Sequence, residues 1–123
     1  MATRYTKDHE WIRLEGGVAV IGISDHAQEQ LGDIVFVELP DVGKKIAAGG
    51  EAAVVESVKA ASEVFAPVAG EVVEVNQSLS DSPATVNEAA EGAGWIIKLK
   101  PDNAADVEAL MDEDAYKAFL ETI

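Results

Sequence analysis

The chain has 123 residues, of which 9 are Lys or Arg and 23 are Asp or Glu, so its formal net charge is −14. This charge argues against binding to nucleic-acid phosphates or anionic membranes, and the absence of cysteine excludes disulfides, thiolate zinc sites and thiol nucleophiles. The length fits one domain, no apolar run approaches a membrane span, and residues 1–5 form neither a signal nor a transit peptide. We therefore expect a soluble intracellular protein whose partners carry basic docking surfaces.

The first part of the chain alternates strand patterns with turn residues. Residues 5–23 predict two strands joined by a tight hairpin at Gly16 and Gly17, because glycine adopts positive φ without steric cost. Residues 24–32 predict a short helix, with Ser24 as its N-cap and Gly32 at its end. Residues 33–39 and 44–46 predict two further strands, separated by a loop.

Residues 51–65 are ambiguous from pattern alone. Their alanines favour a helix, whereas their valines and Phe65 favour strands. Turn residues before this stretch and at 66–70 behind it, followed by β-branched residues, favour two strands with a turn near Lys59. That turn lacks the Asn-Gly chemistry of common hairpins, so the pattern does not establish its position.

The last third predicts a polar excursion, one strand and two helices. Residues 76–94 are polar and small, with one helical turn near residues 83–86. Residues 95–100 alternate as a strand that Pro101 closes, with Trp95 and Leu99 on one face. Asn103 is predicted to cap a helix through residue 110, and Asp112 a second one through residue 120. There is no internal repeat.

Few residues offer catalytic chemistry. His9 and His26 are the natural acid–base candidates, but no ligand-type residues stand at metal spacing around them, and satisfied or surface histidines are the better interpretation. The sequence contains no nucleophile elbow and no glycine-rich nucleotide motif. We therefore predict no catalytic residue and no metal site.

Lys59 is the only cation between Lys45 and Lys98, in a stretch that contains eight acidic residues. Three roles remain open. The first is a solvated turn lysine paired loosely with Glu56 or Glu63. The second is a Schiff-base lysine, which would need a desolvating pocket. The third is an exposed lysine that carries a covalent cofactor. Its small apolar neighbours suit the third role best.

The sequence resembles the glycine cleavage system H protein family over nearly its whole length. Glu56, Ser57, Val58, Lys59 and Ala60 with Ser62 resemble that family's lipoylation motif. The resemblance extends to residues 5–11, 22–28, 31–40, 66–72 and 75–76, to Gly94 and Trp95, and to Lys98. It departs at residues 89–94, where members often have a proline-containing loop, and at Gln30, where some carry a histidine.

The resemblance implies a mainly β fold, a lipoyl/biotinyl barrel-sandwich hybrid of antiparallel sheets with short helices, two of them near the C-terminus. We expect a single lipoyl-carrier domain over residues 1–123, with a core of about 5–100 and C-terminal helices at about 103–122. Lipoate is expected as an amide on Lys59. The implied function is a non-enzymatic carrier in glycine catabolism and one-carbon metabolism, which shuttles the aminomethyl group of glycine and then presents dihydrolipoyl for reoxidation.

The implied partners are the pyridoxal-phosphate glycine decarboxylase, the tetrahydrofolate-dependent aminomethyltransferase, dihydrolipoamide dehydrogenase and the lipoylating enzymes. By the same resemblance, Glu56 and Gly70 help lipoylating enzymes to recognise the hairpin, and Glu10, Trp11 and Glu63 line a groove for the loaded arm. For the glutamates, solvated sheet charges are an equal alternative, and for Trp11 a place in the core.

Two functional alternatives stay open. A carrier-like protein that mainly donates lipoate to other enzymes would share the same motif, and an enzyme in its own right would need a catalytic set that the sequence lacks. We expect a monomer. We also expect the bacterial cytoplasm as its location, because Met1 is close to the domain start. A mitochondrial location is expected only for a processed eukaryotic form.

Overall fold

The computed structural model describes residues 3–122 and is built mainly from antiparallel strands with five short helices among those residues. The strands are β1 (Arg4–Tyr5), β2 (Glu10–Glu15), β3 (Val18–Ile23), β4 (Ile34–Glu38), β5 (Lys45–Ile46), β6 (Glu51–Ser57), β7 (Ala61–Phe65), β8 (Gly70–Val75) and β9 (Ile97–Pro101). The helices are α1 (Asp25–Leu31), α2 (Ser78–Asp81), α3 (Thr85–Glu88), α4 (Ala105–Glu108) and α5 (Glu113–Leu120). This confirms the predicted mainly β architecture with two short helices near the C-terminus.

The strands form two sheets. The larger has six strands in the order β1-β2-β3-β9-β8-β5, and the smaller has three in the order β4-β6-β7. All pairs described are antiparallel. The predicted tight hairpin is confirmed, because Gly16 and Gly17 take φ values of 60° and 83° between β2 and β3.

The main core lies between the two sheets. Alternate residues of β3, β8 and β9 from one sheet, and Val37, Val55 and Val64 from the other, point inward and are almost fully buried. A second cluster, formed by Tyr5, Trp11, Val20 and Tyr116, attaches the C-terminal helix α5 to the outer side of the large sheet. Burial of these side chains supplies most of the stabilising free energy, at about 25 cal/mol per Å² of apolar surface.

The helix caps follow the sequence in two of the predicted helices. The Ser24 hydroxyl accepts the backbone N–H of Ala27 at the start of α1 (3.2 Å), and Gly32 ends that helix with φ 83°. Asp112 caps α5 by accepting the N–H of Ala115 (2.8 Å). Both caps satisfy backbone groups that helix ends otherwise leave unpaired.

Two predicted elements have wrong boundaries, and one helical turn was not predicted. The final strand begins at Ile97, because Trp95 is bound in a turn to Gly92 and its carbonyl accepts the Asn76 amide. The helix predicted over 103–110 is the single turn α4, which buries only Val107. The turn α2 was not predicted, and it forms because Leu79 packs into the core. No helix within residues 3–122 combines the length and apolar character needed to cross a membrane.

Candidate functional site

Lys59 lies at the exposed tip of the hairpin formed by β6 and β7. The strand ladder ends with Glu56 opposite Ala61, immediately below the tip. The neighbours Val58, Ala60 and Ala61 are themselves exposed. The lysine amine is therefore presented to solvent without a bulky polar neighbour on the tip. The predicted turn near Lys59 is confirmed.

The Ser57 side chain builds this turn. Its Oγ accepts the backbone N–H groups of Lys59 (3.1 Å) and Ala60 (3.2 Å), and the Ser57 N–H donates to the Ala60 carbonyl (2.8 Å). A serine hydroxyl can replace backbone partners in this way, which is why the turn needs no Asn-Gly pair. One signal for this role was present in the sequence and not used, a serine shortly before the lysine at the end of a predicted strand.

A second element supports the tip from one side. We call residues 32–34, which connect α1 to β4, the 32–34 platform. The Val58 N–H donates to the Asp33 carbonyl (3.1 Å), so the platform is bonded directly to the turn. The Lys59 Cε lies 3.4 Å from where a Cβ on Gly32 would stand. A Cβ at Gly32 would stand in van der Waals contact with the lysine side chain, and the substitution would strain the backbone at its φ of 83°.

The surroundings of Lys59 bear on each of its three candidate roles. Within residues 3–122, no carboxylate oxygen lies within 4.0 Å of its Nζ, so neither Glu56 nor Glu63 forms an ion pair with it. The side chain is exposed, whereas a Schiff-base lysine requires a desolvating pocket. An exposed amine on a braced turn is compatible with a solvated turn lysine and with a point of covalent attachment.

A groove of about 160 Å³ runs between helix α1 and the β6–β7 hairpin. Its lining combines carboxylate, polar and apolar side chains, namely Asp8, His9, Glu10, Ile23, Ala27, Gln30, Leu31, Val55, Ser62, Glu63 and Val64. Two of the three predicted groove residues, Glu10 and Glu63, are brought together here. Trp11 is not among the lining residues.

Glu10 is 2% exposed and its carboxylate is fully engaged. Oε1 accepts the Thr6 hydroxyl (2.7 Å) and Oε2 accepts the backbone N–H of Phe65 (3.2 Å). Burial raises the pKa of Glu10 above its ordinary value, although the hydrogen bonds from Thr6 and Phe65 act in the opposite direction. Glu10 therefore joins the two sheets at the rim of the groove.

Trp11 belongs to the core, as the alternative interpretation had it. It has no exposed surface, and its indole N–H donates to the Ala90 carbonyl (2.8 Å). The Arg13 guanidinium lies 4.8 Å from the ring centroid, which adds a cation–π contact. Its neighbour in the next strand is Gly22, where a Cβ would come within 2.7 Å of the indole nitrogen.

The two residues predicted to assist recognition occupy opposite ends of the hairpin region. Glu56 is half-buried in β6, one residue before Ser57 and close to the tip. Gly70 begins β8, beyond the base of the hairpin, and is buried against the Lys100 carbonyl and the Leu99 side chain. A Cβ at Gly70 would overlap both, so close strand packing requires glycine there.

The two histidines lie against each other with their rings tilted by 44°, and His9 serves the fold. Their ring centroids are 4.8 Å apart, and His9 Nδ1 lies 2.7 Å from the Tyr116 hydroxyl. The same hydroxyl lies 2.7 Å from Ser24 Oγ, so it links the N-terminal turn to α1 and α5. Burial, followed by the nearby His26, lowers the pKa of His9. Within the described chain, no group of three His, Asp or Glu residues is arranged to hold a metal ion.

Comparisons with known proteins agree with this geometry. The family described as Glycine cleavage H-protein matches residues 3–123. A glycine cleavage system H protein of Xanthobacter autotrophicus is 65% identical over 122 residues, covering 99% of this chain and 98% of its own. One of Beijerinckia indica is 60% identical, with 98% of both chains covered. The crystal structure of a glycine cleavage system H protein from Mycobacterium marinum superposes with a TM-score of 0.89 at 39% identity, covering 98% of this chain and 97% of its own.

Proposed function

The chain belongs to the glycine cleavage H-protein family, and from this premise we propose that Lys59 is the residue that carries its lipoyl group. The family match over nearly the whole chain supports the role of lipoyl carrier in the glycine cleavage system, on the predicted barrel-sandwich fold. The observation that carries the assignment of Lys59 is its position, exposed on a turn braced by Ser57 and free of a carboxylate partner within residues 3–122.

The residues present fit an amide-linked group. Acylation needs a solvent-accessible amine, and Lys59 is exposed with the small residue Ala60 beside it. The turn does not depend on the Lys59 side chain, because Ser57 and the Asp33 carbonyl bind only backbone groups of the tip. The amine can therefore be modified without removing a contact that holds the turn.

When attached, the lipoyl group supplies a strained cyclic disulfide that takes part in two-electron exchange and one-carbon transfer. This chain's own residues present that group and hold the tip rigid. We propose that these residues form and break no covalent bonds during the reaction, since the His9 and Glu10 side chains are held in hydrogen bonds, His9 to Tyr116 and Glu10 to Thr6 and Phe65. The reactions then belong to the partners, proposed to be the pyridoxal-phosphate glycine decarboxylase, the tetrahydrofolate-dependent aminomethyltransferase and dihydrolipoamide dehydrogenase.

Two groups of side chains are proposed to assist the carrier, one by lining a groove for the loaded arm and the other in recognition by lipoylating enzymes. Glu63 faces the groove between α1 and the hairpin, where a loaded arm would find its exposed carboxylate for a cationic amine, and Glu10 would shape the rim of the same groove through its bonds to Thr6 and Phe65. Glu56 would help lipoylating enzymes directly from the strand that leads to the tip. Gly70 would help indirectly, because its close packing on β9 sets the position of β8 beyond the base of the hairpin.

The charge of the body suits several transient partners. A net charge of −14 steers the carrier toward basic docking surfaces and speeds encounter without requiring tight binding. We propose that the chain works as a monomer in the bacterial cytoplasm, in keeping with its bacterial relatives.

Mass spectrometry tests the attachment. Protein purified from lipoate-replete cells is expected to carry the mass of one lipoyl group, and peptide fragmentation is expected to assign it to Lys59. The matched variant Lys59→Arg keeps the charge and length of the side chain, and it is expected to gain no such mass. An unmodified Lys59, or a lipoyl group on Lys44 or Lys98, would contradict the proposal.

A reconstituted glycine exchange assay separates a working carrier from a protein that only donates lipoate. With the glycine decarboxylase present, the lipoylated chain is expected to support exchange of labelled bicarbonate into the glycine carboxyl group, and the Lys59→Arg variant is not. A lipoylated chain that supports no exchange would favour the donor role.

A further inference from the structure

The side-chain amide of Asn87, on helix α3, forms hydrogen bonds at both its ends with the 32–34 platform and the adjoining helix α1. Its Oδ1 accepts the backbone N–H of Ile34 (2.8 Å), and its Nδ2 donates to the Gly32 carbonyl (2.8 Å) and to Gln28 Oε1 (3.0 Å). An amide side chain has one acceptor and one two-proton donor, so both ends of this one are engaged. The carboxamide thus bridges the end of α1 and the first residue of β4, which are the two ends of the 32–34 platform.

The 32–34 platform, which the Asn87 amide holds in place, is itself bonded to the hairpin tip. Between the two residues that Asn87 binds lies Asp33, whose carbonyl accepts the Val58 N–H (3.1 Å). Ile34 is paired in register with Ser57, the residue that builds the turn. Gly32 lies beneath the Lys59 side chain, with Cε at 3.4 Å from its Cβ position. Asn87 is therefore one residue removed from the lysine without touching it.

We propose that Asn87 is a positioning residue for Lys59. It fixes the platform, and the platform holds the tip in the arrangement in which the Lys59 amine attacks the carbonyl carbon of the ATP-activated lipoyl group in a lipoylating enzyme, with release of AMP. Productive acylation needs the reacting atoms aligned closely, and small displacements cost much of the rate. This inference rests on the proposed function of Lys59, but the contacts from which it is drawn do not depend on modification.

A merely structural role for Asn87 is the competing explanation, and the chain provides a matched control for it. Asn76 is a buried asparagine from the same polar segment. Its Nδ2 donates to the carbonyls of Ala93 (2.9 Å) and Trp95 (2.7 Å), and its Oδ1 accepts the Ser78 hydroxyl (2.6 Å). It makes as many side-chain hydrogen bonds as Asn87, but none of them reaches the platform.

The test compares Asn87→Ala with Asn76→Ala in the full-length unmodified chain. Lipoylation by a purified lipoate–protein ligase, with lipoate and ATP, is measured over a range of carrier concentrations to give kcat and KM. We expect Asn87→Ala to lower kcat/KM by between about 10- and 100-fold through misplacement of the amine. The Asn76→Ala variant is expected to stay close to the unsubstituted chain.

Amide hydrogen exchange supplies a readout that does not depend on lipoylation. The Val58 N–H is bonded to the platform, so its exchange is expected to accelerate by about tenfold in Asn87→Ala and not in Asn76→Ala. Equal effects of the two variants, on either acylation or exchange, would overturn the inference. If the unsubstituted chain is not acylated at Lys59, the proposed function fails, and the exchange comparison alone decides the positioning role.

A conservative variant protects the test against unfolding. Asn87→Asp keeps the side-chain volume and the acceptor for the Ile34 N–H, but it places a carboxylate oxygen where the amide donated to the Gly32 carbonyl and to Gln28 Oε1. We expect it to fold and to shift both kcat/KM and Val58 exchange in the same direction as Asn87→Ala. Values for Asn87→Asp equal to those of the unsubstituted chain would count against the platform, since the bond to Gly32 would then have no effect on the tip.

Discussion

The Glu10 carboxylate in the six-stranded sheet accepts the backbone N–H of Phe65 in the three-stranded sheet, at 3.2 Å. This bond gives the Phe65 N–H of the edge strand β7 a partner that the sheet does not supply. The Thr6 hydroxyl donates to the other carboxylate oxygen at 2.7 Å. A residue at the rim of the groove is therefore also a connection between the two sheets. Its titration is expected to influence the stability of the whole fold.

Glu10→Gln is expected to change how stability varies with pH. Because burial raises the pKa of Glu10 in the folded state, the folded chain binds this proton more tightly than the unfolded chain. The contribution of Glu10 is therefore fully present below the ordinary carboxyl pKa and is lost as pH rises through the raised pKa. Glu10→Gln lacks this pH-dependent contribution. As pH rises, the free energy of unfolding of the variant should therefore increase relative to that of the unsubstituted chain.

Urea unfolding between about pH 4.5 and pH 8 measures this difference, in a range that begins at the ordinary carboxyl pKa. Glu63→Gln, at the exposed side of the same groove, is the control for removing one negative charge. Parallel pH profiles for Glu10→Gln and the unsubstituted chain would contradict the raised pKa.

Gly22→Ala is expected to destabilise the fold by overpacking. The new Cβ would stand 2.7 Å from the Trp11 indole nitrogen, and the indole cannot withdraw without breaking its bond to the Ala90 carbonyl. Overpacking of this kind costs about 1–3 kcal/mol. Gly92→Ala is the matched control, because its nearest atom lies at 3.9 Å, and it should change the unfolding free energy by less than about 0.5 kcal/mol. Equal urea midpoints for the two variants would disprove the steric argument.

Tyr116→Phe is expected to cost about 1–3 kcal/mol, the usual penalty for leaving buried polar groups without a partner. The lost hydroxyl lies 2.7 Å from both His9 Nδ1 and Ser24 Oγ. A double-mutant cycle with Ser24→Ala, measured by chemical unfolding, removes the separate cost of losing the helix cap. A coupling energy of about 0.5 kcal/mol or more would support the shared hydroxyl contact, and additivity of the two substitutions would count against it.

Ser57→Ala is expected to loosen the tip while the rest of the fold stays intact. Two N–H acceptors disappear, those for Lys59 and Ala60, and the cost should be about 0.5–1.5 kcal/mol because the tip is solvated. Faster exchange of these two amides and slower acylation of Lys59 are the expected readouts. Ser57→Thr keeps the hydroxyl and serves as the control. Unchanged exchange in the alanine variant would show that the turn does not need the side chain.

Local chemistry in the sequence predicted much of the secondary structure. Ser24 and Asp112 were correctly predicted as helix caps, and Gly16 with Gly17 as a hairpin, because caps and tight turns depend on neighbouring residues only. The strand-to-turn change around Lys59 was favoured only by the flanking turn residues. Its actual cause, the Ser57 hydroxyl, is also local, but hydroxyl turns have a weaker sequence signal than Asn-Gly pairs.

The sequence by itself determined the acidic character of the chain, its lone central lysine and, through its motifs, its family. Only the tertiary structure decided that Glu10 connects the sheets, that Trp11 packs in the core and that Asn87 supports the segment beneath Lys59. These contacts join residues between 53 and 79 positions apart along the chain. Such pairings arise from the packing of whole sheets and loops, and they cannot be predicted from the local propensities of the residues.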